Sequence, residues 1–309
     1  MHPLVFLGSG LLDEAVGDPQ SWPHPVRILG LIIEGLDRAR RGLRSPTLLR
    51  VLGIFLALGM AALAGGFAWG VLRLCGRWAW IPELILGAWM LASRSLRDAV
   101  RPVALALEAG DLEKARREVA MVVGRDTAHL DEAGVARAGL ETVAESLCDG
   151  VLAPLFWFAL GGLPALWAFK AVSTLDSMVG HREAPFTHFG WASARLDDLL
   201  NLVPARLSVP LIALSAWSWR ALRLAWRDGA KTSSPNAGWC EAAFAGALGV
   251  QLGGLNFYDG VPHEGPRLGD PGRSLDGPLL REGLELERRV NLLALLLGTA
   301  LLSLRYLHG

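Results

Sequence analysis

An uncharged run of 22 residues, Val51 to Leu72 (VLGIFLALGMAALAGGFAWGVL), restricts this chain more than any other feature. About 20 apolar residues in a helix span the hydrocarbon of a bilayer, and in lipid a helix satisfies its own backbone polar groups. The run therefore predicts a membrane-spanning helix. Composition points the same way: 52% of the 309 residues are hydrophobic and 19% charged, against about 25% charged in an ordinary soluble domain. Thirty basic residues balance thirty acidic ones, which removes the electrostatic argument for a nucleic-acid partner. The expected fold class is all-α: a polytopic membrane helical protein with a helical polar region and re-entrant or broken helices. Residues 1–309 are expected to form a single integral membrane domain.

Further apolar runs follow. Trp78 to Ser93 is broken only by Glu83 after Pro82, and it pairs with the first run as a helical hairpin turning at Arg73 and Arg77. Val151 to Phe169 is uncharged, but Pro154, Gly161, Gly162 and Pro164 interrupt it, which predicts a broken or re-entrant helix. Leu207 to Trp219 is short. If it extends back through Leu199, Arg206 needs a partner. Asn236 to Phe257 is rich in small residues, with Glu241 its only charge and Gly249 and Gly253 in GxxxG spacing. Leu292 to Leu304 is the last run. For the weaker runs, buried core helices are the competing interpretation. His2 precedes the first apolar stretch without a basic region, so the N-terminus does not read as a cleaved signal peptide.

Basic residues flank the first pair of runs on both sides, Arg38 to Arg50 and Arg94 to Arg117, and by the positive-inside rule both flanks are cytoplasmic. Arg220, Arg223, Arg227 and Lys231 point to the same side. A full crossing at 151–169 would then place 170–198 outside, so the topology of 151–206 stays open. Residues 94–150 form a polar helical segment, with a break at Gly110-Asp111, where Asp111 caps the next helix, and a turn at Gly124 to Thr127. Residues 259–288 are expected to be a Gly/Pro-rich loop over 259–277 and a short amphipathic helix over Arg281 to Val290. Cys75, Cys148 and Cys240 lie far apart with no CxxC, so neither a zinc knuckle nor a redox pair is encoded.

Chemistry concentrates in a few clusters. Glu141, Glu145 and Asp149 step by four and share one helix face, where like charges repel by about 0.2–0.5 kcal/mol per pair. The stripe runs straight into the apolar segment at Val151. A carboxylate at mid-membrane costs at least about 2.5–3.5 kcal/mol, which magnesium with phosphate oxygens, or partner arginines, would offset. A solvated acidic face is the alternative. Asp197 and Asn201 share a face with Asp198 beside them, either as a second metal-phosphate group or as an acidic helix start. Lys170, Thr174, Asp176, Ser177 and His181 lie between the two groups, and Lys170 either meets a phosphate or snorkels. Lys231 and the turn Ser233 to Trp239 suit an anion at a helix start, or plain helix entry. Asp18, His24 and Arg27 belong to a proline-stiffened N-terminal loop. No GxxxxGK[ST] occurs, so any nucleotide is held by another device. From residues alone, a membrane phosphate-transfer enzyme of prenyltransferase type and a non-catalytic scaffold both stand beside any other reading.

Taken together, these segments resemble one family. Gly17-Asp18-Pro19 with Pro23-His24-Pro25-Val26-Arg27, then Gly124-Arg125-Asp126-Thr127, Glu141-Thr142, Ala144-Glu145, Asp149-Gly150-Val151 and Thr174 to Gly180 look like blocks of the adenosylcobinamide-phosphate synthases. Ser193 to Asp198, Asn201, Pro204 to Leu207, Ser234 to Trp239 and Glu241-Ala242-Ala243 continue the order. The family usually carries Asn at positions 146 and 173, where this chain has Ser146 and Ser173, and Pro in place of Cys240. The resemblance implies a carbon–nitrogen ligase of cobalamin biosynthesis. Its substrates would be adenosylcobyric acid, a corrinoid, and (R)-1-amino-2-propanol O-2-phosphate, with ATP as co-substrate and Mg2+ as cofactor. It implies Glu141, Glu145, Asp149, Asp197 and Asp198 as metal ligands, and Asp176, Lys170 and Arg195 as catalytic groups. Asp18, His24, Arg27, Arg125, Asp126, Thr174, Ser177, Asn201, Arg206 and Asn236 are implied as substrate or phosphate contacts. The expected location is the inner cell membrane, multi-pass, with a cytoplasm-accessible site in contact with lipid and with other enzymes of the pathway.

Overall fold

A computed structural model of the chain describes residues 1–17, 25–40, 42–43, 45–181 and 185–308. Twelve α-helices and one β-hairpin are found among them, so the all-α expectation holds with one exception. Four helical segments are long and apolar enough to cross a membrane: Pro46–Trp78, Glu132–Val179, Trp191–Ser215 and Gly277–His308. The chain divides into two compact units. One comprises 1–92, 153–201 and 295–309, and the other 93–152 and 202–294.

In the first unit, α3 (Pro46–Cys75) realises the long uncharged run, and Ser45 caps its start. Its buried stripe is Leu49, Gly53, Ala57, Met60, Ala64 and Ala68. Steps of three and four keep these residues on one face, and their small size lets α8 (Ala153–Val179) approach closely, as membrane helices do without a hydrophobic driving force. A Cβ at Gly65 would lie 3.1 Å from the carbonyl oxygen of Pro164. Away from that stripe α3 exposes Phe55, Leu58 and Leu63, an apolar surface suited to lipid rather than water, while the Phe67 ring packs 5.2 Å from that of Trp167 on α8.

α8 breaks where its glycines predict. Gly161 and Gly162 leave helical geometry, Gly162 at φ 66°, and Glu83 of α4 (Trp80–Ala88) accepts the freed backbone N–H of Leu163. Pro164 has no N–H to lose and suits the first turn of the resumed helix. The single charge in the Trp78–Ser93 run thus serves as a cap. The reversal after α3, a 3-10 turn at Gly76–Trp78, falls at the expected arginines. However, α4 has only nine residues, a rise of about 14 Å, so the expected second full crossing is not made by this helix. α1 (Pro3–Val16) packs on it, with the Ser9 hydroxyl donating to the Leu84 carbonyl at 3.0 Å. α2 (Pro25–Ala39) and the first part of α9 (Trp191–Ser215) complete the unit with the end of α12 (Gly277–His308).

The second unit contains α5 (Ser93–Glu108), α6 (Leu112–Ala120), α7 (Glu132–Ser146), α10 (Trp219–Asp228) and α11 (Ala237–Leu248). Asp111 caps α6 by accepting from the Lys114 backbone, as expected. Two expectations are corrected. The apolar run 236–257 and the loop 259–277 contain instead an antiparallel hairpin, β1 (Gln251–Tyr258) and β2 (Val261–Gly269). Tyr258 pairs with Val261 across Asp259 and Gly260, both at positive φ. This is the two-residue Asp-Gly turn whose twist matches that of the strands. The helix expected over 281–290 and the run at 292–304 are one 32-residue helix, α12, because no proline separates them. Its Glu287, fully buried, accepts from the Ser93 hydroxyl at 2.7 Å and pairs with Arg97 at 2.6 Å.

Asp228 at the end of α10 is also fully buried. Burial would raise its carboxyl, but hydrogen bonds from Arg227, Lys231 and the Gly269 backbone outweigh that and hold it far below the usual carboxylate range. This clasp ties α10 to β2, and it engages Lys231, which the sequence suggested for an anion.

The packing and the clasp each carry an expected effect on stability. Gly53→Ala, whose Cβ would sit 2.1 Å from the Phe189 carbonyl oxygen, should lower stability by about 1–3 kcal/mol in thermal unfolding of the detergent-solubilised protein. Gly59→Ala, with nothing within 4 Å, should not; equal effects would refute the close packing. A depressed carboxylate contributes stability above its unfolded pKa and loses it in acid. Asp228→Asn should therefore cost about 1–3 kcal/mol at pH 7, with the gap to wild type closing as pH falls below about 4. A gap independent of pH would remove the charge argument.

Candidate active site

Each of the two units carries a polar cluster built from the residues that the sequence marked for chemistry. In the second unit, α7 passes into a π-helical turn at Leu147–Leu152. A π turn takes more residues per turn than an α-helix, and such turns are frequent at functional sites. Glu141 on α7 is only 8% exposed. One of its oxygens accepts the Gly253 backbone N–H at 2.7 Å, and the other pairs with Arg125. Arg125 also donates to Asn256 Oδ1 at 2.7 Å. Arg137, one turn before Glu141, donates to the carbonyls of Gly253 at 2.6 Å and Leu255 at 2.9 Å. Two arginines and a carboxylate thereby stitch α7 to β1. A β-bulge between Gly253 and Leu255 frees the carbonyls they use.

Asp126 anchors the other end of the hairpin. Its backbone N–H donates to the Phe257 carbonyl, and its carboxylate accepts the Gly260 N–H at 2.7 Å. Arg125, Asp126 and Glu141, expected to meet phosphate or metal, are thus engaged with the protein itself.

The acidic stripe has a fourth member that the sequence did not single out. Glu241, half-buried on α11, lies in the field of Glu145, Glu141 and Asp149. Burial first, then the like charges of Glu145 and Glu141, push its carboxyl up to about 8 against the pull of Arg125. The available signal was its position as the only charge between Asn236 and Phe257. Arg206 on α9 finds the partner it required. It donates to Asn236 Oδ1 at 2.8 Å and to the Pro235 carbonyl at 3.1 Å, and its guanidinium lies 5.0 Å from the Trp239 ring centroid. Both Arg206 and Asn236 therefore shape the entry to α11.

In the first unit, α8 carries Lys170, Thr174, Asp176 and Ser177, and α9 carries Arg195, Asp197, Asp198 and Asn201. Asp176 is within electrostatic reach of Asp198 and His181. Thr174 donates its hydroxyl to the Lys170 carbonyl and Ser177 to the Thr174 carbonyl; each oxygen can still accept. Arg195 pairs loosely with Asp198 at 3.8 Å. Asn201, almost fully buried, donates to Asp197 at 2.9 Å, while its Oδ1 has no hydrogen-bond donor among the described residues. Leaving such an acceptor unmet costs about 1–3 kcal/mol, so this is a place where a ligand donor fits. The helix ends meet through glycine: a Cβ at Gly190 would fall 1.6 Å from the Val179 carbonyl oxygen, and one at Gly180 would fall 1.8 Å from Asp176 Oδ1. Arg27 is exposed on the first turn of α2, and Asp18 and His24 lie outside the described residues.

Magnesium takes oxygen ligands and commonly binds through one or two carboxylates plus substrate phosphates. Glu145, Asp149 and Glu241 offer carboxylate oxygens of the kind such an ion takes. Among the described residues no three His, Cys, Asp or Glu side chains form a complete metal-holding group, so substrate oxygens would have to supply the rest.

The family model described as "CobD/Cbib protein" matches residues 6–286. Among curated proteins, the chain is 46% identical to a "Cobalamin biosynthesis protein CobD" of Geobacter metallireducens, covering 97% of this chain and 96% of that one. It is 44% identical to a CobD protein of Citrobacter koseri and 43% identical to "Cobalamin biosynthesis protein CbiB" of Salmonella typhimurium, each over 89% of both chains. No solved structure matches.

The Arg125–Glu141 pair is buried on both sides. Arg125→Gln leaves Glu141 with only the looser 3.9 Å approach of Arg137 and should cost about 2–4 kcal/mol. In thermal unfolding, the double variant with Glu141→Gln should be milder than the sum of the two single ones. Simple additivity would show that the pair does not hold the hairpin.

Proposed function

Because the chain belongs to the CobD/CbiB family, we propose that it acts in cobalamin biosynthesis as an adenosylcobinamide-phosphate synthase. This is an ATP- and Mg2+-dependent ligase that joins adenosylcobyric acid to (R)-1-amino-2-propanol O-2-phosphate. The observation that carries the reading is the crowding of Glu141, Glu145, Asp149 and Glu241 beside Arg125. Carboxylates crowded this closely repel one another, and a divalent cation with phosphoryl oxygens would relieve that repulsion.

In chemical terms, a carboxylate is a poor electrophile. Transfer of the ATP γ-phosphoryl group to the corrinoid carboxylate gives an acyl phosphate and ADP. The amine then attacks the acyl carbon, the C–N bond forms, the C–O bond breaks, inorganic phosphate leaves, and the amine gives up a proton. Glu145, Asp149 and Glu241 are the residues that would hold magnesium in the second unit, and Asp197 with Asp198 in the first. Bound magnesium supplies charge neutralisation on phosphoryl oxygens. Asp176 accepts the amine proton, with His181 and Asp198 setting its local field. Lys170 and Arg195 orient phosphate, and the unmet Asn201 carbonyl accepts from a substrate N–H or O–H. Holding both reactants at bonding distance supplies much of the acceleration. The four apolar helices support an inner-membrane, multi-pass location, with the site open to the cytoplasm where ATP is present. Other enzymes of the pathway are the expected neighbours.

The test is direct. Full-length protein in detergent is mixed with ATP, Mg2+, adenosylcobyric acid and aminopropanol phosphate, and the amide is sought by mass together with one ADP and one phosphate per product. Glu145→Gln and Glu241→Gln should each lower kcat by about 100-fold or more while leaving the unfolding midpoint near that of wild type. Absence of amide from a folded wild-type protein, or normal turnover in both variants, would end the proposal.

A further inference from the structure

We propose that α10 and the turn before it form a binding site for an anionic phospholipid headgroup at the membrane surface. This site does not rest on the ligation reading, although the Trp226 ring meets that of Trp239 at 5.3 Å. The chain leaves the membrane-length helix α9 at Ser215 and enters α10 at Trp219, with only three residues between. In that short stretch and the helix after it, three tryptophans stand out of the protein: Trp217 is 93% exposed, Trp219 84% and Trp226 74%.

On α10, Trp219, Arg223 and Trp226 follow at i, i+4 and i+7 and so share one face, with Arg220 beside them. These residues and Leu222 line an open groove of about 570 Å³. The other face, Ala221, Leu224, Ala225 and Asp228, is buried against α11. The outward face therefore has nothing of the fold to cover. Its chemistry is that of the headgroup level of a bilayer, where tryptophan puts its ring against acyl chains and its N–H toward water. Arg223 has no ion pair or hydrogen bond among the described residues, and Arg220 has only a loose 3.6 Å approach to Asp270. Two cations flanking an apolar groove at the end of a membrane helix match a phosphate on lipid rather than a neutral surface.

The turn itself gives a second, independent observation. Ser218 N–H bonds back to the Ala213 carbonyl, and Trp217 sits at φ 51°. This is the helix-ending arrangement in which the left-handed position is normally glycine. A bulky residue there is strained, and at 93% exposure its ring gains no protein packing in return. Contact with lipid would supply what the fold does not.

The experiment uses full-length protein in detergent and native mass spectrometry of bound phosphatidylglycerol against phosphatidylcholine. Wild type should retain phosphatidylglycerol preferentially, and each of Arg220→Gln and Arg223→Gln should weaken that retention about fivefold, whereas Arg→Lys at both positions should preserve it. Trp217→Gly should raise the unfolding midpoint in lipid-free detergent and yet weaken phosphatidylglycerol retention; a purely structural turn would move the two together. Equal retention of the two lipids by wild type, unchanged retention in the double Gln variant, or displacement of the lipid by millimolar inorganic phosphate would each overturn the assignment.

Discussion

A backbone placed in hydrocarbon has no water to bond, so each N–H and C=O must find its partner inside the protein. Most of this chain follows from that constraint. It explains why the long uncharged runs are helices, and why the break inside α8, at Gly161 and Gly162, occurs with a carboxylate in attendance. Glu83 is costly in an apolar helix until it accepts the Leu163 N–H, and the break is costly until Glu83 arrives. Each resolves the other. The small-residue stripe on α3 follows from the same surroundings. With lipid on the far side, helices gain from close contact rather than from leaving water, and Gly53 and Gly65 permit that contact.

Charge is handled by the same rule of local compensation. Buried Glu287 is met by Arg97 and Ser93, Asp228 by Arg227 and Lys231, and Glu141 by Arg125 and a backbone N–H. Against that background Glu241 stands out, because burial and the like charge of Glu145 and Glu141 act on it together. A fold that gathers like charge beside a π-helical turn has a place where a cation from outside belongs. The Asn201 carbonyl oxygen is a smaller case of the same kind in the other unit.

The spanning helix at Val51–Leu72 was legible because length and absence of charge are local properties. So were the glycine break in α8, the Asp111 cap, and the need of Arg206 for a partner, each dictated by a single residue type. The hairpin was not read, although Asp259-Gly260 is a hairpin signature. Its flanks carry glycines, prolines and charges that look like loop, and its register depends on Arg125, Arg137 and Asp126, more than 100 positions away for most of those contacts. For the same reason Arg125 and Asp126 were read as phosphate contacts: a sequence shows that a charge is present and not which neighbour it meets. Glu241 is visible in the sequence as a lone charge but not as a neighbour of the acidic stripe, because that role comes from three carboxylates on a different part of the chain. The continuity of α12 is hard to see in the sequence because its two halves differ in polarity, and a change of polarity without a helix breaker does not end a helix.

The join between α8 and α9 has a mechanical side. Gly180 and Gly190 are packed so tightly against Asp176 and the Val179 carbonyl that no atom could be inserted between them. There is no slack at that point. A shift of the Asp176 end of α8, such as a ligand would impose, has no cavity in which to dissipate. It is delivered to the start of α9, and within two turns to Asp197 and Asp198. The two acidic helix ends would then move as one lever, with the glycines as its pin.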